Sequence, residues 1–505
     1  MLPSRKSRLE SASIQISTPD IHISKSKMKM QFGIGDEMKS RMFLLMVPAM
    51  IIAALSFSAC GGGSSNPAPG TPNEWTWANG ANVVNQAGTY GTLGMAAASN
   101  VPGARQNAVQ WTDKAGNFWL FGGYGYDSKG NNTFLNDLWM YSAGQWAWMS
   151  GTSAGGGAGL YGTLGTGALN NVPGARSDAV SWTDAAGNLW LFGGYGYGAS
   201  AAGVNILNDL WKYSPGNVNT PGQWTWMGGS NSNSQPGTYG TQGMAAPGNV
   251  PGARLGAVSW TDTSGNFWVF GGSGAALPGD SGNLNDLWKY SAGAWTWMGG
   301  SDVANQRGTY GTEGVAAAGN IPGARFGAVS WTDASGNFWL FGGGGQASNG
   351  NGGLLNDLWE YSAGQWMWVG GSNLNDQSGM YGTEGMAASG NVPGARNGAS
   401  GWTDASGNFW LFGGSGQDSA GNSGWLNDLW KYSAGEWTWV GGSNLNGQLG
   451  TYGSVGKSAA SNLPGARTAG ASWTDASGNF WLFGGFGNDS LGTSGSLNDF
   501  WQYKP

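Results

Sequence analysis

The chain has 505 residues, of which 96 are glycine, 31 are tryptophan and only 10% are charged. So much glycine without a collagen period, together with so many aromatic residues, predicts short strands joined by tight turns and argues against a helical protein. The net charge is −6 and the chain has no basic run, so nucleic acid, whose phosphates require Lys and Arg, is not expected as a partner.

The first 59 residues predict an export signal rather than a domain. Lys39 and Arg41 precede a long apolar run, which ends in small residues immediately before Cys60. An uncleaved membrane anchor is the alternative, because an apolar core of about 20 residues is long enough to span a bilayer. We expect translation to start at Met38, since the pattern identifies no role for residues 1–37.

The sequence around Cys60, "FSACGGGSS", resembles a bacterial lipoprotein signal, although Phe57 stands where an aliphatic residue is usual. The resemblance implies that Cys60 is lipidated and that the protein is an exported lipoprotein, at the outer membrane or cell surface or facing the periplasm, with the lipid as its only membrane contact. Residues 60–73 are rich in Gly, Ser and Pro and predict a flexible tether. Cys60 is the only cysteine, so no intrachain disulfide is expected.

Internal repetition dominates residues 74–505. The motif "PGAR" occurs six times, in steps of 71 residues with one step of 78. It begins at Pro102, Pro173, Pro251, Pro322, Pro393 and Pro464. Each repeat holds five tryptophans at fixed positions, and Trp425 is the only one outside this pattern. A fixed period of this size predicts one supersecondary unit per repeat.

Each repeat contains four strand-like runs separated by turn residues. In the fourth repeat the first three runs are Arg325–Asp333, Asn337–Gly343 and Leu355–Tyr361, and "QWMWVGG" is the fourth. The runs are short, rich in aromatic or β-branched residues and bounded by Gly, Asn, Asp or Ser, which predicts a four-stranded antiparallel sheet. One such sheet cannot bury both faces, so the repeats must pack against one another, and a closed ring leaves none of them uncovered.

The repeats resemble kelch repeats of the galactose-oxidase type, which have an Arg-led first strand, an apolar second strand ending in a glycine pair, and then a Tyr and a Trp at set spacing. The glycine pairs begin at Gly122, Gly193, Gly271, Gly342, Gly413 and Gly484, and the tyrosines are Tyr141, Tyr213, Tyr290, Tyr361, Tyr432 and Tyr503. The resemblance implies an all-β, six-bladed β-propeller over residues 74–505, with one blade per repeat. We expect it to be a monomer.

The last repeat stops after its third run and has no fourth run of its own. The segment "EWTWANG" near the N-terminus has the sequence of a fourth run, yet no first, second or third run precedes it. We therefore expect the N-terminal strand Glu74–Gly80 to supply the missing outer strand and to close the last blade. Closure of this kind covers an otherwise open edge strand.

The order of the strands predicts the face on which a site would lie. The connections between the second and third runs share one face with those between successive repeats, and these connections are long and variable, whereas the other turns are short. Each connection between repeats carries one tyrosine, and these are Tyr90, Tyr161, Tyr239, Tyr310, Tyr381 and Tyr452. Either the tyrosines are exposed platforms that stack on sugar rings or peptide side chains, or each packs its own loop onto the sheet.

Other residues of these connections break the sixfold pattern. Glu313 and Glu384 stand where other repeats carry Gln or an apolar residue. The first two repeats alone carry tyrosines after the glycine pair, namely Tyr124, Tyr126, Tyr195 and Tyr197. We count all of these as candidate binding residues, with neutral drift of the loops as the alternative.

The remaining polar motifs predict structural roles. The aspartates of "NDLW" and "WTD" are expected to satisfy local backbone donors, and the arginines of "PGAR" to form hydrogen bonds between blades. Loops such as "YDSKGNN" resemble calcium loops only weakly, because one acidic residue per loop is too few for calcium. No metal site is expected.

The predicted exported part of the chain contains no histidine and no cysteine other than Cys60. The chain's only histidine is His22, within the predicted signal, which excludes histidine-based catalysis and histidine-ligated metals from the exported part. The copper chemistry of galactose oxidase depends on His ligands and a Tyr–Cys crosslink, so the resemblance implies the fold without that activity, and no cofactor is expected. Some kelch propellers resemble sugar mutarotases, for which Glu313, Glu384 and Asp178 would be the groups to test.

We therefore expect a lipid-anchored, non-catalytic binding module whose ligand is a glycan or a protein. A carbohydrate-active isomerase or hydrolase that works through carboxylates is the alternative. A structural envelope protein is a third interpretation.

Overall fold

The computed structural model describes residues 71–200, 203–216 and 221–505. The predicted export signal, Cys60 and most of the tether lie outside the described residues. The described ranges consist of strands, turns and bends, and they contain no helix that could cross a membrane.

The first strand of each repeat, called the inner strand below, consists of two short pieces. The first pieces are Arg105–Gln106, Arg176–Ser177, Arg254–Leu255, Arg325–Phe326, Arg396–Asn397 and Arg467–Thr468. The second pieces are Val109–Thr112, Val180–Thr183, Val258–Thr261, Val329–Thr332, Ser400–Thr403 and Ala471–Thr474. The pieces are separated by a residue in the left-handed backbone region, such as Asp178 with φ +59°. This conformation interrupts the strand.

The second and third strands form a long hairpin at the centre of each sheet. The second strands are Phe118–Phe121 with Tyr124–Tyr126, and then Leu189–Gly196, Phe267–Ala275, Phe338–Gln346, Phe409–Gln417 and Phe480–Asn488. The third strands are Asn132–Phe134 with Leu138–Ser142, and then Asn205–Ser214, Ser281–Ser291, Gly352–Ser362, Ser423–Ser433 and Ser494–Tyr503.

The glycine pair lets neighbouring repeats approach each other closely. The register of the central hairpin shifts between Phe341 and Gly343. Gly342 has φ +66°, and a Cβ there would lie 2.9 Å from the backbone oxygen of Arg396 in the next repeat. Only glycine combines this conformation with this approach.

The fourth strand of each sheet is called the outer strand. The outer strands are Gln145–Ser150, Gln223–Gly228, Ala294–Gly299, Gln365–Gly370, Glu436–Gly441 and, for the last repeat, Trp75–Asn79. In the fourth repeat a two-residue turn leads into it, with positive φ at both Ala363 (+49°) and Gly364 (+81°), as in a type I′ hairpin turn. The long connection then covers the outer edge, and in two places it forms a short strand there, Ala96–Ala97 and Ser458–Ala459.

The N-terminal strand lies beside the last strand of the chain. Trp75 pairs with Tyr503 and Trp77 with Trp501, in antiparallel register. This is the position expected for the missing fourth run of the last repeat.

The left-handed residues of the six inner strands form a continuous circle of backbone hydrogen bonds. They are Asn107, Asp178, Gly256, Gly327, Gly398 and Ala469, and we call them the axial ring. Each donates its amide to the carbonyl of the preceding member at 2.7–3.0 Å, and Asn107 donates to Ala469 at 3.0 Å. The circle therefore includes the first and the last repeat.

The hydrophobic core lies between neighbouring sheets rather than within one sheet. One cluster packs Trp260 and Phe270 of the third repeat against Phe338 and Leu340 of the fourth. A corresponding cluster joins the first and the last repeat. The described residues are thus all-β and form repeated four-stranded antiparallel sheets, an arrangement consistent with a β-propeller.

Candidate functional site

The six tyrosines of the long connections are buried. Each is only 5–6% exposed. In the fourth repeat the Tyr310 hydroxyl donates to Oδ2 of Asp357 at 2.7 Å, and its ring lies 4.8 Å from that of Trp359. The interpretation of Tyr90, Tyr161, Tyr239, Tyr310, Tyr381 and Tyr452 as exposed platforms is therefore corrected, because a buried ring offers no face to a ligand.

The tyrosine belongs to a buried polar group that recurs in every repeat. Arg325 donates to Asp357 through both Nη atoms, at 2.6 and 2.7 Å, and the indole of Trp359 donates to the same carboxylate. This corrects two expectations, since the "PGAR" guanidinium pairs within its own repeat, and the "NDLW" aspartate accepts from side chains rather than from local backbone. The "WTD" aspartate does hold its turn, as Asp333 accepts from the amides of Ser335 and Asn337.

Glu313 and Glu384 lie on the outer rim of their sheets. The amide of Gly314, which follows Glu313, donates to the carbonyl of Trp368 in an outer strand at 2.8 Å. The amide of Gly385, which follows Glu384, donates in the same way to the carbonyl of Trp439 at 2.7 Å. Both glutamates are exposed. Asp178 belongs to the axial ring, so the fold does not bring together the three carboxylates that the mutarotase-like alternative invokes.

Three positions at which the repeats differ lie next to one another on each sheet. In each repeat, one residue of the inner strand pairs with one residue of the second strand, which pairs with one of the third, and we call each set of three a variable row. The inner-strand members are Gln106, Ser177, Leu255, Phe326, Asn397 and Thr468. The second-strand members are Tyr124, Tyr195, Ser273, Gly344, Ser415 and Phe486, and the third-strand members are Phe134, Ile206, Asn283, Leu354, Trp425 and Ser496.

The variable rows surround the axial ring. Each inner-strand member immediately precedes an axial-ring residue, so each row begins at the axis and extends outward across the sheet. A Cβ on Gly256 of the ring would lie 3.5 Å from the Cβ of Phe326, and one on Gly398 would lie 2.3 Å from the Thr468 hydroxyl. The rows and the ring together form one surface, the axial face, at the end of the molecule where the long connections lie.

The axial face is aromatic and asymmetric. In the first two repeats the ring of Phe134 lies 4.9 Å from that of Tyr124, 5.5 Å from that of Tyr195 and 6.4 Å from that of Tyr197. In the last two repeats Trp425 lies 5.3 Å from Phe486. All of these side chains are half-buried, so each retains surface for a ligand.

Three of the four tyrosines lie in strand rather than loop, which corrects part of the expectation. Tyr124 and Tyr126 lie in Tyr124–Tyr126, Tyr195 lies in Leu189–Gly196, and Tyr197 comes just after that strand. They nevertheless lie at the end of the sheet that was expected to carry a site.

Asp178 is the charged member of the axial ring. Its carboxylate accepts a hydrogen bond from the Ser177 hydroxyl at 2.5 Å. Burial raises its pKa to about 6, and the hydrogen bonds from Ser177 and Asn107 oppose that rise. The carboxyl group is therefore mostly ionised at neutral pH and becomes protonated in mild acid.

A narrow cavity lies along the inner strands. Its volume is about 210 Å³, and small side chains such as Ala257, Val258 and Ser259 line it. The serine hydroxyls bond to the carbonyls of the preceding repeat, as Ser259 does to Ser181 at 3.1 Å. The described residues contain no group of three or more His, Cys, Asp or Glu side chains placed to hold a metal ion.

Sequence reasoning missed several residues of the axial face, among them Phe134, Leu255, Phe326, Trp425 and Phe486. Trp425 was visible as the one tryptophan outside the repeat pattern. Comparing the repeats position by position would have found the others, because each stands next to an invariant residue: Arg before Leu255 and Phe326, Leu after Phe134, and Gly on both sides of Phe486.

Comparison with known proteins gives no family assignment. No protein-family profile matches the chain, and no curated protein matches it. Among solved structures, one described as the structure of YjhT is 14% identical, with a TM-score of 0.44, and the match covers 79% of this chain and 95% of that one. A fungal alcohol oxidase of the AA5 family, in complex with copper, is 13% identical with a TM-score of 0.39, covering 83% and 77% of the two chains. Likenesses this distant carry no argument about activity, and the fold is argued from the repeated sheets themselves.

Proposed function

We propose that this protein is a six-bladed, kelch-type β-propeller, anchored by a lipid on Cys60, that acts as a non-catalytic binding module for a glycan or protein ligand. The ligand site is the axial face. The observation that carries the proposal is that positions at which the otherwise similar repeats differ lie side by side in the variable rows, around the axial ring.

The fold constrains the residues that pack between sheets more than it constrains the variable rows. Positions that pack between sheets, such as Leu340 and Trp359, are fully buried and carry the same or a similar residue in every repeat, because cores tolerate little change in volume. The variable rows have the same backbone register in each repeat, yet they carry Tyr, Phe, Trp, Leu, Ile, Ser, Asn or Gly. A half-buried surface that mixes aromatic and small polar residues suits a specific ligand.

Two sets of contacts support six blades in a closed ring. The axial ring has one member per repeat and returns to its start through Asn107 and Ala469. The pairing of Trp75 with Tyr503 supplies the last sheet with its fourth strand. We infer that the two ends of the chain meet in one blade.

The N-terminal tether leaves from the side opposite the axial face. The outer strand Trp75–Asn79 starts at the level of Tyr503, where the short turns lie. The preceding residues remain there, since Asn73 donates its amide to the carbonyl of Lys504 at 2.7 Å. Asn73 therefore lies at the end of the sheet opposite the axial face.

A thermal-shift screen of the protein against glycans, cell-wall fragments and peptides tests the binding function. A ligand at ten times its dissociation constant should stabilise the fold by about 1.4 kcal/mol. The shift should be lost in Trp425→Ala and retained in Met386→Ala, a truncation of a side chain on the outer rim that is 62% exposed. A screen without any saturable shift would count against the proposal and favour the structural interpretation.

The lipid anchor is tested separately. Metabolic labelling with a radioactive fatty acid should label the wild-type protein and not Cys60→Ser, and the variant should leave the membrane fraction. A wild-type protein that takes up no label, together with membrane association that survives in Cys60→Ser, would refute the anchor and favour the uncleaved apolar segment.

A further inference from the structure

The first two repeats bring a carboxylate and an aromatic cluster together on the axial face. Asp178 follows Ser177, and the backbone of Ser177 pairs with that of Tyr195. Tyr195 in turn contacts Phe134 of the preceding repeat. Asp178 is therefore next in the chain to a residue whose backbone pairs with that of Tyr195, which places the carboxylate beside the row that carries the rings.

This carboxylate has no cationic partner among the ion pairs of the described ranges. The six buried pairs each join a "PGAR" arginine to an "NDLW" aspartate, and the remaining one joins Lys431 to Asp404 on the opposite side of the molecule. The polar neighbours of Asp178 are the hydroxyl of Ser177 and the amide of Asn107, both neutral. A half-buried negative charge that hydrogen bonds satisfy only in part is stabilised by a cation.

The variable rows carry no basic residue. Asp178 is the charged group of the axial face, and the adjoining loops between second and third strands contribute Asp127, Asp280, Asp418 and Asp489 against the single cation Lys129. The local charge is therefore negative and disfavours an anionic ligand.

We propose, on the basis of the binding function above, that the axial face binds a basic peptide segment, with a lysine or arginine side chain at Asp178 and a neighbouring apolar side chain on the cluster of Tyr124, Phe134, Tyr195 and Tyr197. The ring faces also attract the cation directly, which adds to the charge pairing. Apolar members of the other rows, such as Leu255, Phe326 and Leu354, extend the surface along which such a segment would lie. The negative charge at Asp178 favours a peptide with a cationic side chain over a neutral glycan.

The test uses the full-length protein and isothermal titration calorimetry at pH 7.5 in 50 mM salt. The probes are three capped pentapeptides of sequence Gly-Leu-X-Leu-Gly, with X as lysine, glutamine or glutamate. A glucosamine trisaccharide serves as a cationic glycan. We expect the lysine peptide to bind at least tenfold more tightly than the glutamine peptide and the trisaccharide, and the glutamate peptide to bind most weakly.

Matched variants assign the effect to the site. Asp178→Asn should remove the preference for lysine, and so should Asp178→Gly, which copies the residue of the third, fourth and fifth repeats and suits the left-handed backbone. Glu313→Gln removes a carboxylate on the outer rim and should leave the preference unchanged. Tyr195→Ala should weaken binding of the lysine and glutamine peptides alike.

The outcomes separate this inference from the binding function on which it rests. Equal affinity for the lysine and glutamine peptides, or a lysine preference that survives both Asp178 variants, would overturn the inference. Tighter binding of the trisaccharide than of the lysine peptide would replace the peptide by a glycan. If no peptide binds while another ligand gives a thermal shift that Trp425→Ala abolishes, the binding function holds and this inference is refuted. If nothing binds in either experiment, both are refuted.

Discussion

In the fourth repeat, the guanidinium of Arg325 and the carboxylate of Asp357 form a two-point ion pair, with Nη1 2.6 Å from Oδ1 and Nη2 2.7 Å from Oδ2. Neither side chain is more than 1% exposed. Tyr310 and Trp359 donate two further hydrogen bonds to the same carboxylate. The group ties the long connection, the inner strand and the third strand together, so it fixes the loop on the sheet.

Replacing Arg325 by methionine should strongly destabilise the protein, because it leaves Asp357 as an unpaired buried carboxylate. Breaking a buried pair in this way costs about 3–5 kcal/mol. The free energy of unfolding in urea measures the loss. The double variant Arg325→Met with Asp357→Leu should recover part of it, since no buried charge is left unpaired.

The matched control is the partly exposed ion pair between Lys431 and Asp404. Their atoms are 3.8 Å apart and the Lys431 side chain is 31% exposed. Lys431→Met should cost less than about 1 kcal/mol. A similar cost for Lys431→Met and Arg325→Met would show that the buried group has no special role in stability.

Trp75→Ala should destabilise the protein as much as the same change at Trp366, its counterpart in an internal outer strand. Each indole is 4–5% exposed. Trp75 packs on Phe412 and Tyr503, at ring distances of 5.3 and 5.0 Å. Truncating a buried tryptophan costs about 3–5 kcal/mol.

Hydrogen exchange distinguishes ring closure from ordinary packing. If the N-terminal strand completes the last sheet, Trp75→Ala should speed amide exchange in the neighbouring strand Ser494–Tyr503 before other strands. Trp366→Ala should instead speed exchange in Gly352–Ser362. Unchanged protection of Ser494–Tyr503 in Trp75→Ala would contradict closure by the N-terminal strand.

The strands and turns could be predicted from the sequence because six copies of one pattern repeat at a fixed period. The second strand of the fourth repeat was expected to start at Asn337 and begins at Phe338. The missing fourth run at the C-terminus indicated the position of Trp75–Asn79. Local chemistry and counting were sufficient for these elements.

The site could not be predicted in the same way, because its residues are distant in the chain and only the register of the strands shows that they are neighbours. Phe326, Gly344 and Leu354 are separated in the chain yet form one row across three strands. The ion pair between Arg325 and Asp357 likewise depends on register. A tyrosine repeated in every copy, such as Tyr310, fits an exposed platform and a buried packing residue equally well, and only its burial decides between them.

The turn before the outer strand offers a stabilising change. Ala363 adopts φ +49°, a left-handed conformation that costs an ordinary L-residue about 1–2 kcal/mol and that asparagine tolerates better. Ala363→Asn should therefore raise the free energy of unfolding by up to about 1 kcal/mol. Ala334→Asn, in the other short turn of the same repeat, is the control and should give no gain. A loss of stability in Ala363→Asn would contradict the assignment of a type I′ turn.

The contribution of Asp178 to the free energy of unfolding should be smaller at neutral pH, where the carboxyl group is ionised, than in mild acid. Its pKa rises from the ordinary value of 3.8 to about 6 in the folded state, because burial disfavours the charged form. The folded state therefore binds a proton more readily than the unfolded state. The resulting stability is fully present below about pH 4 and is lost as the pH rises through about 6.

Asp178→Asn should consequently be more stable than the wild type at pH 7.5, by up to about 3 kcal/mol, and the difference should shrink as the pH falls to 4. Asp184→Asn should behave in the opposite way, because hydrogen bonds from the Trp190 indole, Asn188 and Ala186 outweigh burial, lower the pKa of Asp184 and stabilise the ionised form. That variant should be less stable than the wild type at pH 7.5, and the deficit should shrink in acid. Urea unfolding at pH 7.5, 6, 5 and 4 measures both differences. If the Asp178→Asn difference does not depend on pH, the carboxylate is not held in the half-buried setting that the axial face gives it, and its attraction for a cationic ligand weakens accordingly.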